Sequence, residues 1–111
     1  MATQSRYQIQ VHNLVYSQDL LELPEELQEE FPLYQQLLTT NPQKPSRVPS
    51  HNLKGDLTGY RALDIEWEGN PNAYRLVYRI NEKPAPKRVL IVSFAEHNPA
   101  YDRAKERTGR D

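Results

Sequence analysis

Cysteine is absent from the 111 residues, which excludes disulfides, thiolate metal sites and a cysteine nucleophile, and fits a reducing cytoplasm. No apolar run is long enough to span a bilayer, and the start carries no signal-peptide pattern. We therefore expect a soluble, cytoplasmic protein with no membrane partner. Hydrophobic residues are also scarce, at 37 %, with a mean hydropathy of −0.86. They nevertheless fall in periodic blocks, which argues against global disorder. Strong basicity is missing too, since the net charge is only −1. The imbalance is local: residues 1–46 carry a net −4 and residues 47–111 a net +3. That points to an acidic helical side and a more basic sheet side, a modest footprint for a nucleic-acid partner. The length supports one domain over 1–111 with a single core.

The most informative stretch is 73–80, where Tyr74, Leu76, Tyr78 and Ile80 alternate with Arg75, Val77 and Arg79. A strand here has an apolar face and a cationic one. Ahead of it, 7–11 alternates as a short first strand, and Ser17 is placed to cap a helix beginning at Gln18. Pro24 suits the start of a second helix, along which Leu27, Phe31, Tyr34, Leu37 and Leu38 form an apolar stripe. Pro32 is expected to kink or split that helix. Residues 41–50, with three prolines, read as a connection.

A strand over 60–67 places Arg61, Leu63, Ile65 and Trp67 on the core side, with Arg61 at its edge burying its stem. The apolar run 88–95 is a central strand covered on both faces, and 99–107 is a terminal helix capped by Asn98 with Pro99 first. The expected fold is α+β: strand, two helices, an antiparallel three-strand meander and a short C-terminal helix, with the helices on one sheet face. Arg103, Lys105 and Arg107 read as a solvated helix face.

The second half resembles the RelE/ParE superfamily of type II toxins. The residues that carry the likeness are Leu53-Lys54-Gly55 with Gly59-Tyr60, the strand Tyr74-Arg75-Leu76-Val77-Tyr78-Arg79-Ile80, the run Ser93-Phe94-Ala95-Glu96-His97, and Tyr101-Asp102-Arg103-Ala104. The likeness implies a single RelE-like toxin domain that blocks translation as a ribosome-dependent mRNA endonuclease. It also implies no metal or other cofactor, and partners comprising a cognate antitoxin in a hetero-oligomer, the ribosome and mRNA. In that chemistry the RNA 2′-hydroxyl attacks the phosphorus, a base and an acid move protons, and cations stabilise the phosphorane. By resemblance Arg75, His97 and Tyr101 are the catalytic set, and Lys54 is a phosphate contact; Arg61 and Arg79 are further RNA-binding candidates.

Asp64 departs from the pattern, standing where several nucleases carry a second cation. It can pair with Arg75 across the hairpin. A ParE-like alternative therefore stands beside the nuclease: a non-catalytic toxin that acts by binding a protein such as DNA gyrase. His12, His51 and His97 show no metal-ligand spacing, and His12 and His51 lie outside the matched motifs and receive no role.

Overall fold

The computed structural model describes residues 6–110. Its elements run β1 (Gln8–Val11), a π-helical turn (Val15–Asp19) leading into α1 (Leu20–Glu22), α2 (Glu25–Thr40), β2 (Ser50–Asn52), a 3-10 turn (Gly55–Leu57), β3 (Tyr60–Trp67), β4 (Asn70–Asn81), β5 (Arg88–Glu96) and α3 (His97–Thr108). The strands form one five-stranded sheet in the order β1-β5-β4-β3-β2. β3, β4 and β5 make the antiparallel meander, and β1 adds parallel to β5 at the far edge. The expected α+β architecture holds, with one strand more. β2, whose Ser-His-Asn sequence lacks any apolar alternation, forms by backbone pairing with β3.

The helices do not share one sheet face. Leu27, Phe31, Tyr34 and Leu38 of α2 pack with Leu63, Ile65, Leu76, Tyr78, Val89, Ile91 and Phe94 on one side. On the other, Ala100 and Ala104 of α3 pack against Ala62, Val77, Val92 and Ala95. The physical reason is in the strands: β3–β5 carry apolar residues on both faces, so both faces need cover. Alanine at an i, i+4 spacing lets the α3 backbone come down onto the sheet, and Ser93 Oγ donates 2.7 Å to the Ala100 carbonyl.

Three local expectations also change. Pro32 does not split α2, which runs unbroken for 16 residues with Pro32 on its exposed side, where water can take the freed carbonyl. Ser17 lies inside the π-helical turn, its Oγ donating to the Asn13 carbonyl instead of capping a helix. α3 starts at His97, so Pro99 occupies its third position, where the N–H has no helical partner to lose. The β3–β4 connection is short. Glu68 and Gly69, both at positive φ, form a two-residue hairpin between Trp67 and Asn70.

α3 is not a solvated helix. Asp19 is fully buried and accepts from Arg103 Nη1 at 2.9 Å, from Arg107 Nη2 at 2.7 Å and from the Phe94 amide at 2.8 Å. The Arg107 side chain is only 3 % exposed and also donates to the Val92 carbonyl. Desolvation works against the charge on Arg103, but its hydrogen bond to Glu22 and the charge of Asp19 win, leaving its pKa raised. Arg103 and Arg107 therefore clip the terminal helix to the segment before α2, while Lys105 alone of the three faces the cleft described below.

Candidate functional site

The alternation of β4 sorts its side chains as the sequence implies. Tyr74, Leu76, Tyr78 and Ile80 belong to the α2-side core, and Val77 to the α3 side. Arg75 and Arg79 share the α3 side with Val77. Register places Arg75 between Asp64 on β3 and Ala95 on β5, two residues before His97. At this rung α3 is only beginning, so the sheet carries polar groups where the alanine-covered part carries apolar ones.

Arg75 is 7 % exposed, and its Nη1 donates to Asp64 Oδ1, with Asn72 Oδ1 at 3.5 Å. Its Nε is buried without a partner, and among the described residues Nη2 is not engaged either. One edge of the guanidinium is thus committed to a carboxylate while the Nε/Nη2 edge has its two parallel donors unspent. Because Nε is buried, an oxyanion such as phosphate could meet both donors of that edge only after the side chain moves. Asp64 also receives His51, whose Nδ1 lies 3.2 Å from the same Oδ1. The cross-hairpin pairing of Asp64 with Arg75, read in the sequence as an alternative, is present.

His97 is exposed at the first turn of α3, with Nδ1 2.8 Å from Asn98 Oδ1. Its ring meets Tyr101 edge-on at 4.7 Å between centroids, as the i, i+4 spacing requires. Tyr101 is half-buried against the α3-side core and lines a cleft of about 190 Å³ with Leu53, Lys54, Asp56, Leu57 and Lys105. Of the expected residues, Lys54 and Tyr101 thus line one cleft and His97 packs on Tyr101, while Arg75 lies on the same sheet face outside the cleft lining. Lys54 is placed by the turn that follows β2, where Gly55 at φ +66 takes a left-handed conformation that leaves the lysine exposed.

The other two lie elsewhere. Arg79 sits at the opposite end of the α3 face, its guanidinium 5.6 Å from the ring centroid of Tyr60, its register partner. Arg110 stacks on the same ring at 5.0 Å. Gly109, at φ +71, ends α3 and turns Arg110 there, the Arg110 amide bonding back to the Lys105 carbonyl at 2.7 Å. Arg61 is on the α2 side. It donates to Asn52 Oδ1 at 2.6 Å, the Gln43 carbonyl at 2.8 Å and Ser50 Oγ at 2.9 Å. Tyr78, wholly buried, joins the same set by donating 2.6 Å to the Pro42 carbonyl. Arg61 thus holds the proline-rich connection to the sheet, away from Arg75.

The contact of His51 with Asp64 has no signature in the sequence. β2 was invisible as a strand, and only strand pairing brings position 51 opposite Ala62 and onto the face that carries Asp64. Among the described residues no group of three or more His, Asp or Glu side chains is arranged to hold a metal ion. Nor is any described helix long and apolar enough to cross a membrane.

Compared by sequence alone, the chain matches no family profile and no curated protein. Compared by structure it has clear neighbours. A chain of the toxin–antitoxin complex RelBE2 of Mycobacterium tuberculosis superposes with a TM-score of 0.64 at 19 % identity, covering 83 % of this chain and 99 % of that one. A YoeB/ParE toxin of Agrobacterium tumefaciens gives 0.64 at 16 % identity over 81 % and 98 %. A RelE toxin variant of E. coli in its free state gives 0.64 at 16 % over 92 % and 97 %. The chain has the fold of the RelE/ParE toxins.

Proposed function

We propose that this protein is the toxin of a type II toxin–antitoxin pair and cleaves mRNA on the ribosome. The observation that supports this reading is one face of a RelE-like sheet on which Lys54 and Tyr101 line a cleft, His97 packs on Tyr101, and Arg75 lies on the neighbouring strand rung. Arg75 supplies a cation beside the phosphate, and it acts most where charge develops on the phosphorane. His97 is an exposed imidazole, the side chain best suited to exchange a proton near neutrality. Lys54 adds a cation along the RNA backbone, and Tyr101 supports the His97 ring and faces the same cleft. The 2′-hydroxyl of the RNA serves as nucleophile, so the reaction asks no metal of the protein.

One observation favours a second reading, a ParE-like toxin that binds a protein target without catalysis. Arg75 is already paired with Asp64, which offsets its charge. Inducible expression in bacteria, with growth, translation and mRNA integrity followed together, separates the two. The nuclease reading expects arrested growth with translation blocked and mRNA cut; arrest with intact mRNA supports binding alone.

The partner in this proposal is an antitoxin, as in the RelBE2 complex. It covers the Arg75 region with α3 in place. Pulling α3 away would strand the buried Asp19 carboxylate, and breaking such a pair costs about 3–5 kcal/mol. Co-expression with the neighbouring reading frame should give a stable complex and restore growth. Failure of both would remove the antitoxin assignment.

A further inference from the structure

We infer that Asp64 is an autoinhibitory latch on Arg75. It holds the arginine in a buried resting position, and an arriving phosphate must draw Arg75 away from Asp64 before the arginine can act. The latch rests on the nuclease reading above for its effect on cleavage, but not for its effect on phosphate binding.

The two residues face each other across the β3–β4 ladder, Asp64 being the direct register partner of Arg75. Arg75 Nη1 donates to Asp64 Oδ1, and the Asp64 and Arg75 side chains are only 18 % and 9 % exposed. Water therefore screens this pair less than it would a pair on the surface, and the attraction between the charges is larger. The same burial closes off the rest of the guanidinium. Nε is buried with no partner, a state that folded proteins largely avoid because the lost hydrogen bond to water is not replaced. Asp64 thus keeps Arg75 where one donor is paired and another is stranded. A phosphate that drew the side chain out would give the stranded donor an acceptor.

The ladder makes this restraint one-sided. On β5 the register partner of Arg75 is Ala95, so the flank away from Asp64 carries a methyl group and no second carboxylate. Glu96, the next residue on β5, pairs in register with Tyr74 and belongs to the opposite sheet face. Once released from Asp64, Arg75 meets no other carboxylate among its direct cross-strand partners.

A bound oxyanion and Asp64 then compete for one cation. A free anion competes poorly, whereas an RNA phosphate already seated by other contacts is present at a high effective concentration and competes well. The latch thereby makes Arg75 available chiefly on a seated substrate. That behaviour fits an enzyme that acts on ribosome-bound mRNA and spares free RNA.

The test titrates inorganic phosphate into wild type, Asp64→Asn and Glu66→Gln, following the Arg75 Nε–H resonance by NMR, with Arg75→Ala to assign it. The same proteins are then assayed for cleavage of ribosome-bound mRNA. Asparagine keeps the shape of Asp64 and removes its charge. Glu66, exposed on the same strand, controls for the general effect of losing one negative charge. Thermal melts accompany every variant, and Asp64→Ser serves as a second substitution should the asparagine variant unfold. We expect Asp64→Asn to bind phosphate at Arg75 and to cleave mRNA roughly fivefold better than wild type. Glu66→Gln should stay close to wild type, and Asp64→Asn should give no gain in an Arg75→Ala background. A folded Asp64→Asn protein whose phosphate binding is unchanged or weaker, or a gain matched by Glu66→Gln, overturns the latch. A wild type that cuts no mRNA overturns the nuclease reading, and the phosphate titration still decides the latch.

Discussion

Asp64 and Glu82 show single carboxylates with different sets of partners. Asp64 pairs with Arg75 and has His51 beside it, whereas Glu82 ties the first strand to the loop before β5: it accepts from Tyr7 Oη at 2.6 Å and from Gln43 Nε2 at 2.9 Å. The Tyr7 hydrogen bond, chiefly, holds the Glu82 carboxyl below its ordinary value of 4.5, and burial with the same contact pushes the Tyr7 phenol up. Because the folded-state value is the lower one, the contribution is present above the ordinary carboxylate range. It is lost as pH falls through the depressed value. NMR titration should find Glu82 below a free glutamate in the wild type and returned toward it in Tyr7→Phe.

Arg61 offers a different residue-level outcome. With three polar partners binding the connection to the sheet, Arg61→Ala should lower stability by about 1–3 kcal/mol in a denaturant melt. Its cleavage rate per folded molecule should stay near wild type; a specific loss of RNA affinity would return Arg61 to the RNA-binding set. The side each β3 and β4 residue takes was legible, because period-two alternation is a local property. What Arg61 grasps was not, since its partners come from residues 9 to 18 positions away.

Among the elements, the terminal helix departs most from its sequence. Arg103 and Arg107 look like surface charges in a pattern analysis, and Asp19 looks like a first-turn acid. Their meeting across more than 80 residues is a tertiary event with no periodic signature. Asp19→Ala leaves Arg107 buried and unpaired, so it should cost about 3–5 kcal/mol and loosen α3 in hydrogen exchange. α2 supplies the opposite case. Pro32 was read as an interruption because proline removes a helical hydrogen bond, yet the apolar stripe around it buries Leu27, Phe31, Tyr34 and Leu38. Packing overrides the local penalty. Pro32→Ala should therefore stabilise the protein, by up to about 3 kcal/mol, in a thermal or urea melt. No stabilisation would mean that the helix geometry here depends on the proline. β2 went unseen for a related reason: edge strands can form from polar residues when a neighbour offers its backbone.

At the scale of the molecule, the acidic first part and basic second part noted in the sequence map onto different surfaces. Glu25, Glu26, Glu29 and Glu30 lie along α2, while Lys54, Lys105, Arg75, Arg79 and Arg110 belong to the α3 side. A low net charge thus hides an uneven distribution, with these cations on the α3 side set among Asp56, Asp64, Asp102 and Glu106. The central claim is that this face cuts RNA with Arg75 at its centre. Its most direct test is the single-turnover cleavage of ribosome-bound mRNA by purified wild type and Arg75→Ala, with melts to show that both are folded. Our account predicts cleavage by the wild type and a loss on the order of a hundredfold in the variant, since removing one oxyanion contact costs about 3 kcal/mol. Equal cleavage by a folded Arg75→Ala protein, or none by the wild type, would contradict it.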